Sequence, residues 1–292
     1  MCMDYYNLAI KRESTRSFKR RPVSDKQLAE LSGYFPQCAR LLPEIETDIR
    51  ILGAEVCSML KGCAGYHDLM IEAPNYLVIA SRPEAHYLEN AGYMGEDLVL
   101  KMTELEIETC WITINDEEEA GRRLELSEGM RPAALIAFGN ATTMLPSSRL
   151  DIKSVSNILI KKRSGFVAPK LAVDQAVYTE NWGESAKISE LPLNSGLYQA
   201  FIAACCAPSH LNLQPYRFLL DHHRAVMVTL PNELSSPSDQ RLNAGIAMLH
   251  FAGVMENQHS SEKGWILGAP DEAYDIPEGA VIEGYYEIDR VG

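Results

Sequence analysis

Residues 90–95 read Asn90-Ala91-Gly92-Tyr93-Met94-Gly95, and residues 243–248 read Asn243-Ala244-Gly245-Ile246-Ala247-Met248. Each stretch opens an apolar helical pattern. Each pattern is followed by a Trp-Ile pair, in Cys110-Trp111-Ile112 and in Gly264-Trp265-Ile266. The step from Gly92 to Trp111 is 19 residues (111 − 92), and that from Gly245 to Trp265 is 20 (265 − 245). Both halves then run into an aliphatic strand pattern, AALIAFG at 133–139 and GAVIEGYY at 279–286. Matches this short arise by chance, and it is the shared order of helix, Trp-Ile and strand that gives the repeat its weight. It reads as duplication with fusion, a first half at 1–150 and a second at 151–292, packed as one globular pseudo-dimer.

Outward from these helices, the sequence predicts a short helix over Asp4–Lys11 and an irregular stretch Arg12–Arg21. A second helix follows Ser24, where Ser24 and Gln27 fit a capping box. Strands are predicted at Asp48–Leu52, Asn75–Ile79 and Ala133–Phe138, and a long helix over Ala91–Glu108 with Leu98, Met102 and Leu105 at helical spacing. The Thr/Ser/Pro-rich stretch Asn140–Leu150 reads as a connection. Beyond it come a helix at Ser195–Cys206, strands at Arg217–Leu220 and Ala225–Leu230, a helix at Asn243–Glu256 and a closing strand at Ala280–Ile288.

Composition narrows the class. The chain has 292 residues, 46% hydrophobic and 23% charged, enough for a sizeable core. Its net charge of −13, with a pI near 5.0, repels nucleic-acid backbones and anionic membranes, so neither is an expected partner. A local basic pocket for one small anion is compatible with that charge. The seven cysteines are odd in number and scattered, which is no disulfide framework. Met1–Arg16 is charged and lacks the apolar core of a signal peptide, and no apolar run approaches the ~20 residues a membrane span needs. A soluble, cytoplasmic protein is expected.

Two segments could carry chemistry. In Arg12-Glu13-Ser14-Thr15-Arg16-Ser17-Phe18, an extended backbone would put Arg12, Ser14 and Arg16 on one side. Two guanidinium forks with a hydroxyl between them suit a phosphate dianion. A solvated basic patch running on into Lys19, Arg20 and Arg21 explains the same residues. In Ala207-Pro208-Ser209-His210-Leu211-Asn212-Leu213-Gln214-Pro215, two prolines bound a compact loop after an apolar helix. Asn212 and Gln214 each offer a donor and an acceptor, which suits the polar edge of a heteroaromatic ring, or equally the capping of backbone groups.

Taken together, RESTRSF at 12–18 and APSHLNLQPYRF at 207–218 resemble the flavin-binding signature of the nitroreductase family. The stretch at 90–112 is similar to that family's central helix and the segment leading to the flavin. The resemblance implies an α+β (α/β) fold with antiparallel or mixed sheets flanked by helices, and an FMN cofactor. It further implies that NAD(P)H reduces the flavin and that a nitroaromatic, quinone or similar acceptor reoxidises it in a ping-pong cycle. By the same resemblance, Arg12, Ser14 and Arg16 match phosphate and ribityl contacts. Pro208, Ser209 and Asn212 match the loop that lies against the isoalloxazine from the partner side. Gln214 matches the family's glutamine, with a structural role also open. Thr113 and Ile114 fall where relatives place backbone groups near the reactive flavin edge, and Arg163, in Lys161-Lys162-Arg163, is the candidate to complete the phosphate pocket. No side chain is nominated as acid or base, and no metal is expected.

One departure from the family's pattern is informative. Members carry the two motifs close together, whereas here Pro208 lies 196 residues beyond Arg12 (208 − 12). The first half holds PQCARLLPEIE where the Pro-Ser loop should be. Members are homodimers with sites at the interface, so a fused pair with one motif in each half would keep one FMN site per chain, as a monomer or weak homodimer. A non-catalytic flavin-binding protein, and a flavin enzyme of another reaction (reductive dehalogenation or flavin breakdown), are the competing classes. Of the remaining features, Cys57, Cys63 and His67 lack the paired spacing of a zinc site. Cys205-Cys206 reads as core packing, and the acid run Asp116–Glu119 as a helix start.

Overall fold

The computed structural model describes residues 3–66, 69–142, 147–154, 157–163, 169–179, 181–184, 195–258 and 264–288; at 147–154, 157–163, 195, 257 and 258 it describes the backbone alone. Helix α1 (Tyr5–Lys11) is capped by the Asp4 carboxylate, which accepts from the Asn7 N–H. Helix α2 (Asp25–Tyr34) carries the expected Ser24–Gln27 capping box. There follow β1 (Thr47–Gly53), the single turn α3 (Val56–Met59), β2 (Asn75–Ser81), α4 (Tyr87–Glu104), β3 (Glu108–Ile112), α5 (Glu117–Arg123) and β4 (Arg131–Gly139). A hairpin of β5 (Ser147–Ser154) and β6 (Asn157–Arg163) comes next. The chain then forms α6 (Val173–Ala176), β7 (Val177–Thr179), α7 (Ser195–Cys206), β8 (Tyr216–Leu220), β9 (Arg224–Thr229), α8 (Pro237–Gln258), β10 (Trp265–Leu267) and β11 (Val281–Glu287).

One sheet has the order β1-β2-β4-β3 and is antiparallel throughout. The other has the order β10-β11-β9-β8-β7 and is antiparallel except for the parallel β7–β8 pair. Substituting β8, β9, β10 and β11 for β1, β2, β3 and β4 turns the first strand order into that of the second sheet without its edge strand β7. The long helix lies between the second and third of those strands in both cases. The fold is α+β with helices flanking an antiparallel and a mixed sheet, as the resemblance implied.

Burial explains why the elements read as they do. Strand β2 is covered on both faces. Leu77 and Ile79 pack with Ala91, Met94, Leu98 and Met102 of α4, while Tyr76 and Val78 pack with Val56 and Leu60. A strand buried on both sides loses its alternation, hence the unbroken run at 75–81. On the other side of α4, Tyr93 and Leu100 enter a second core with Phe201, Phe251 and Trp265. The helices α4 and α8 cross at their glycines. A Cβ on Gly92 would strike the Leu242 carbonyl, and one on Gly245 would strike the Glu89 carbonyl. The contact is reciprocal, each glycine meeting the residue three before the other.

Asp97, buried in α4, gathers the N-terminal segment by accepting from Tyr5 Oη at 2.6 Å, Tyr34 Oη at 2.9 Å and the Ala39 N–H at 2.9 Å. Burial pushes its carboxyl upward despite these donors.

Three expectations need correction. The long first helix stops at Glu104 rather than Glu108, because Glu106 takes a left-handed φ of 58° and the Ile107 N–H turns back to the Met102 carbonyl at 2.8 Å. Ser147–Leu150, expected as connection, belongs to β5, so residue 150 falls inside a strand. Helix α8 starts at Pro237 instead of Asn243, because Ser236 and Asp239 cap it through reciprocal hydrogen bonds. Helix α5 begins where the acid run indicated, with Asp116 as its cap.

Candidate functional site

Arg12 ends α1, and the chain continues in extended form beside β3. The Thr15 N–H donates to the Thr109 carbonyl at 2.8 Å, and Phe18 bridges to Ala141. In the other half, α7 stops at Cys206, and Pro208 begins the loop that leads to β8. Both segments line one cavity of about 1050 Å³, Arg12, Ser14 and Arg16 from the first and Pro208, Ser209 and Asn212 from the second. Thr113, at the end of β3, lines it too. Ile114 does not; it pairs with Ala64 and packs into the core beneath. Gln214 is buried behind the loop. Arg163 ends β6, and its side chain lies outside the described residues, as does His67.

The arginine wall has support from behind. Arg12 is 8% exposed, its Nη1 donates to Ser14 Oγ at 3.2 Å, and its Nε faces Glu96 Oε1 at 3.5 Å. Glu96 is fully buried and also accepts from the Trp111 indole N–H at 2.8 Å. The imidazole of His250 meets Glu96 Oε1 at 2.8 Å through Nε2 and the Ala203 carbonyl at 2.9 Å through Nδ1. Both partners of His250 are acceptors, so one proton is shared within the Glu96–His250 pair while Nδ1 carries another.

Lys170 is a third cation at the cavity, absent from the expected set. Its Nζ donates to the Ala207 carbonyl at 2.7 Å. Burial, and then the Arg12 charge beside it, push its ammonium down to about 8. Gln214 and Asn212 hold the segment that carries it. Gln214 Oε1 accepts from the Leu171 N–H at 2.8 Å, and Asn212 Nδ2 donates to the Pro169 carbonyl at 2.9 Å. The one sequence signal for Lys170 is a lone lysine between Pro169 and Leu171, too weak to find it.

The loop itself is conformationally unusual. Leu211, Asn212 and Gln214 have φ of 49°, 57° and 47°, a region that costs side-chain-bearing residues energy and clusters at binding sites. Ser209 Oγ accepts from the Gln214 N–H at 2.9 Å, and Asn243 Oδ1 accepts from the His210 N–H at 3.0 Å, which fixes that shape. Of the two vicinal cysteines, Cys205 packs in the core and Cys206 against it, as expected, and Cys206 also lines the cavity. At the mouth stand the exposed apolar side chains of Ile10, Tyr66, Leu69 and Leu211. Among the described residues no group of three or more His, Cys, Asp or Glu side chains is placed to hold a metal, and no helix is long and apolar enough to cross a membrane.

No curated protein sequence matches the chain. Among solved structures, that described as "a putative nitroreductase" from Thermotoga maritima aligns with a TM-score of 0.56 at 15% identity, covering 98% of this chain and 93% of that one. A nitroreductase with bound FMN from Bacteroides fragilis aligns with a TM-score of 0.42 at 14% identity, over 54% of this chain and 99% of that one. An FMN-dependent nitroreductase from Clostridium difficile does so at 0.39 and 18%, over 46% and 86%. The family model described as "Putative TM nitroreductase" matches residues 4–254. With the fold agreeing over nearly its whole length and the family model spanning most of it, this chain belongs to the nitroreductase family.

Proposed function

We propose that the chain is a flavin oxidoreductase that holds one FMN in the cavity between its halves and passes reducing equivalents from NAD(P)H to an electron-poor acceptor such as a quinone or nitroaromatic. One observation carries the reading: Arg12, Arg16 and Lys170, from two distant segments, line the same cavity as the Pro208–Asn212 loop. That donor set fits the group. Two guanidinium forks and an ammonium suit a phosphate dianion. The volume of about 1050 Å³ lies at the upper end for one bound ligand and leaves room for a second ring. The apolar mouth suits an aromatic co-substrate.

In this reading Arg12, Ser14, Arg16 and Lys170 hold the phosphate and ribityl chain. Glu96 braces Arg12 from behind, so that its Nη groups stay turned to the cavity. Pro208, Ser209 and Asn212 lie against the ring system, and the main chain at Thr113 faces its reactive edge. When bound, FMN supplies the hydride chemistry, and the protein supplies position and electrostatics. The nicotinamide and the acceptor occupy the same apolar face in turn, hence a ping-pong cycle.

The single site per chain rests on a duplicated unit. The shared strand order and the reciprocal glycine contact of α4 and α8 support duplication. A further parallel is that the Leu42 N–H donates to Asn90 Oδ1 at 2.9 Å as the His210 N–H does to Asn243. The loop at Leu42 carries no Pro-Ser pair, and the second half carries no Arg-x-Ser-x-Arg.

The test is anaerobic titration of the FMN-loaded protein with NADH and with NADPH. The expected result is bleaching of the flavin bands by at least one of them and return of colour on adding menadione. A protein that binds FMN yet is bleached by neither would make this a carrier or sensor, and one that takes up no FMN would end the flavin reading altogether.

A further inference from the structure

Beside the loop, three side chains from three elements meet in a way the reading above leaves unused. Thr113 stands at the end of β3, His210 in the loop after α7, and Asp239 in the first turn of α8. Thr113 Oγ1 lies 3.1 Å from His210 Nδ1 and 3.3 Å from Asp239 Oδ1, and His210 Nδ1 lies 3.6 Å from the same carboxylate oxygen. All three line the cavity, and the His210 and Asp239 side chains are 14% and 10% exposed.

The hydrogen positions follow from the partners. An ionised carboxylate can only accept, so the single hydroxyl hydrogen of Thr113 goes to Asp239. Thr113 Oγ1 is then left to accept, and the hydrogen it accepts is the one on Nδ1. The imidazole therefore holds its Nδ1 hydrogen inward. Nε2, with no hydrogen-bond partner among the described residues, is the nitrogen free to carry or release a proton. Asp239 is itself fixed, accepting from Ser236 Oγ at 2.7 Å while its N–H donates to that hydroxyl at 3.1 Å. Its charge sits opposite the one the ring bears when both nitrogens are protonated.

We infer that His210 is the proton donor of the acceptor half-reaction, with Thr113 and Asp239 as its positioning residues; this rests on the flavin reading and goes beyond it. Reduction of a quinone to a hydroquinone takes two electrons and two protons. Bound FMN, recharged by a nicotinamide dinucleotide, would supply two electrons and one proton as hydride. The second proton comes from His210: the Nε2–H bond breaks, its electron pair stays on the nitrogen, and an O–H bond forms on the acceptor oxygen. The ring is left neutral with its hydrogen on Nδ1, and solvent at the cavity mouth restores the proton on Nε2.

Two measurements test this. In the flavin-free protein, nitrogen-15 spectra of the histidine rings should show neutral His210 with its hydrogen on Nδ1, opposite to the form that predominates in free histidine, and Asp239→Asn should abolish that preference. Neutral His210 with its hydrogen on Nε2 in the parent protein overturns the relay. In the FMN-loaded, prereduced protein, reoxidation by benzoquinone is compared with reoxidation by ferricyanide, which takes electrons without a proton. His210→Gln should slow the quinone reaction about 100-fold and leave the ferricyanide reaction, reduction by NAD(P)H and FMN affinity within about twofold. Asp239→Asn, which can still cap α8, should slow the quinone reaction about tenfold with the same selectivity. Equal slowing with both oxidants would mean a structural clip, and no slowing with either would mean no role; both overturn the proposal while leaving the flavin reading intact. A protein that takes up no FMN overturns both.

Discussion

The turns after α2 and after α7 begin alike and end differently. Both pass through Cys-Ala, at Cys38-Ala39 and Cys206-Ala207, and both send a main-chain N–H to the asparagine that opens the next long-helix motif. Then Arg40-Leu41-Leu42 stands where the other turn has Pro208-Ser209-His210. Arg40 is spent on Thr47 Oγ1 at 2.6 Å, at the start of β1, while Pro208, Ser209 and His210 line the cavity. The backbone contact that positions the turn is present in both, and the side chains that line the cavity are present in one. In the proposed reading the scaffold is shared and this part of the site is not.

The sharpest way to break this comparison is at the helix crossing. Gly92→Val and Gly245→Val should each cost about 3 kcal/mol of unfolding free energy, since both place side-chain carbons on a backbone carbonyl. Gly33→Ala, in α2 with nothing near its would-be Cβ, should instead raise stability by about 0.5–1 kcal/mol. Urea denaturation measures all three, and strongly unequal losses at Gly92 and Gly245 would deny the reciprocity. At the site, Arg12→Gln should weaken FMN binding about 100-fold by calorimetry, the loss of a charge-assisted pair.

Lys170 separates binding from stability. Its ammonium titrates near 8 in the folded chain against an ordinary 10.5. The unfolded chain therefore binds the proton more tightly, and stability rises with pH between those values. The cost of burying the charge is present in full below about 8. Lys170→Met should accordingly stabilise the flavin-free protein by about 2 kcal/mol at pH 7 and flatten that rise, while weakening FMN binding about tenfold. A destabilised Lys170→Met protein would contradict this sign. The smallest expected effect compares the two turns directly: Ser209→Leu should weaken FMN binding roughly tenfold through a single lost hydrogen-bonding group, and Leu41→Ser should leave it within twofold.

The sequence made the regular elements legible where local pattern and tertiary burial agree. The Ser24–Gln27 box appears as expected, and the strand at Asn75 and the two long helices appear where expected with shifted ends. The early arginines and the Pro-Ser loop were readable as segments that meet, and both line one cavity although 196 residues apart (208 − 12). What escaped depends on partners brought together only by folding. Glu96 meets His250 across 154 positions, and Thr113 meets Asp239 across 126. No local spacing announces such pairs. Lys170 gains its role from Ala207 and Arg12, and α4 ends where one residue, Glu106, turns left-handed without a glycine to mark it.

Cofactor stoichiometry probes the asymmetry between the halves most directly. The protein is saturated with FMN, freed of excess by gel filtration and denatured, and the released flavin is counted against chains. One FMN per chain in the parent and close to none in Arg12→Gln is the result expected of a fused pair with a single surviving site. Two per chain, or one that persists undiminished in Arg12→Gln, would contradict it.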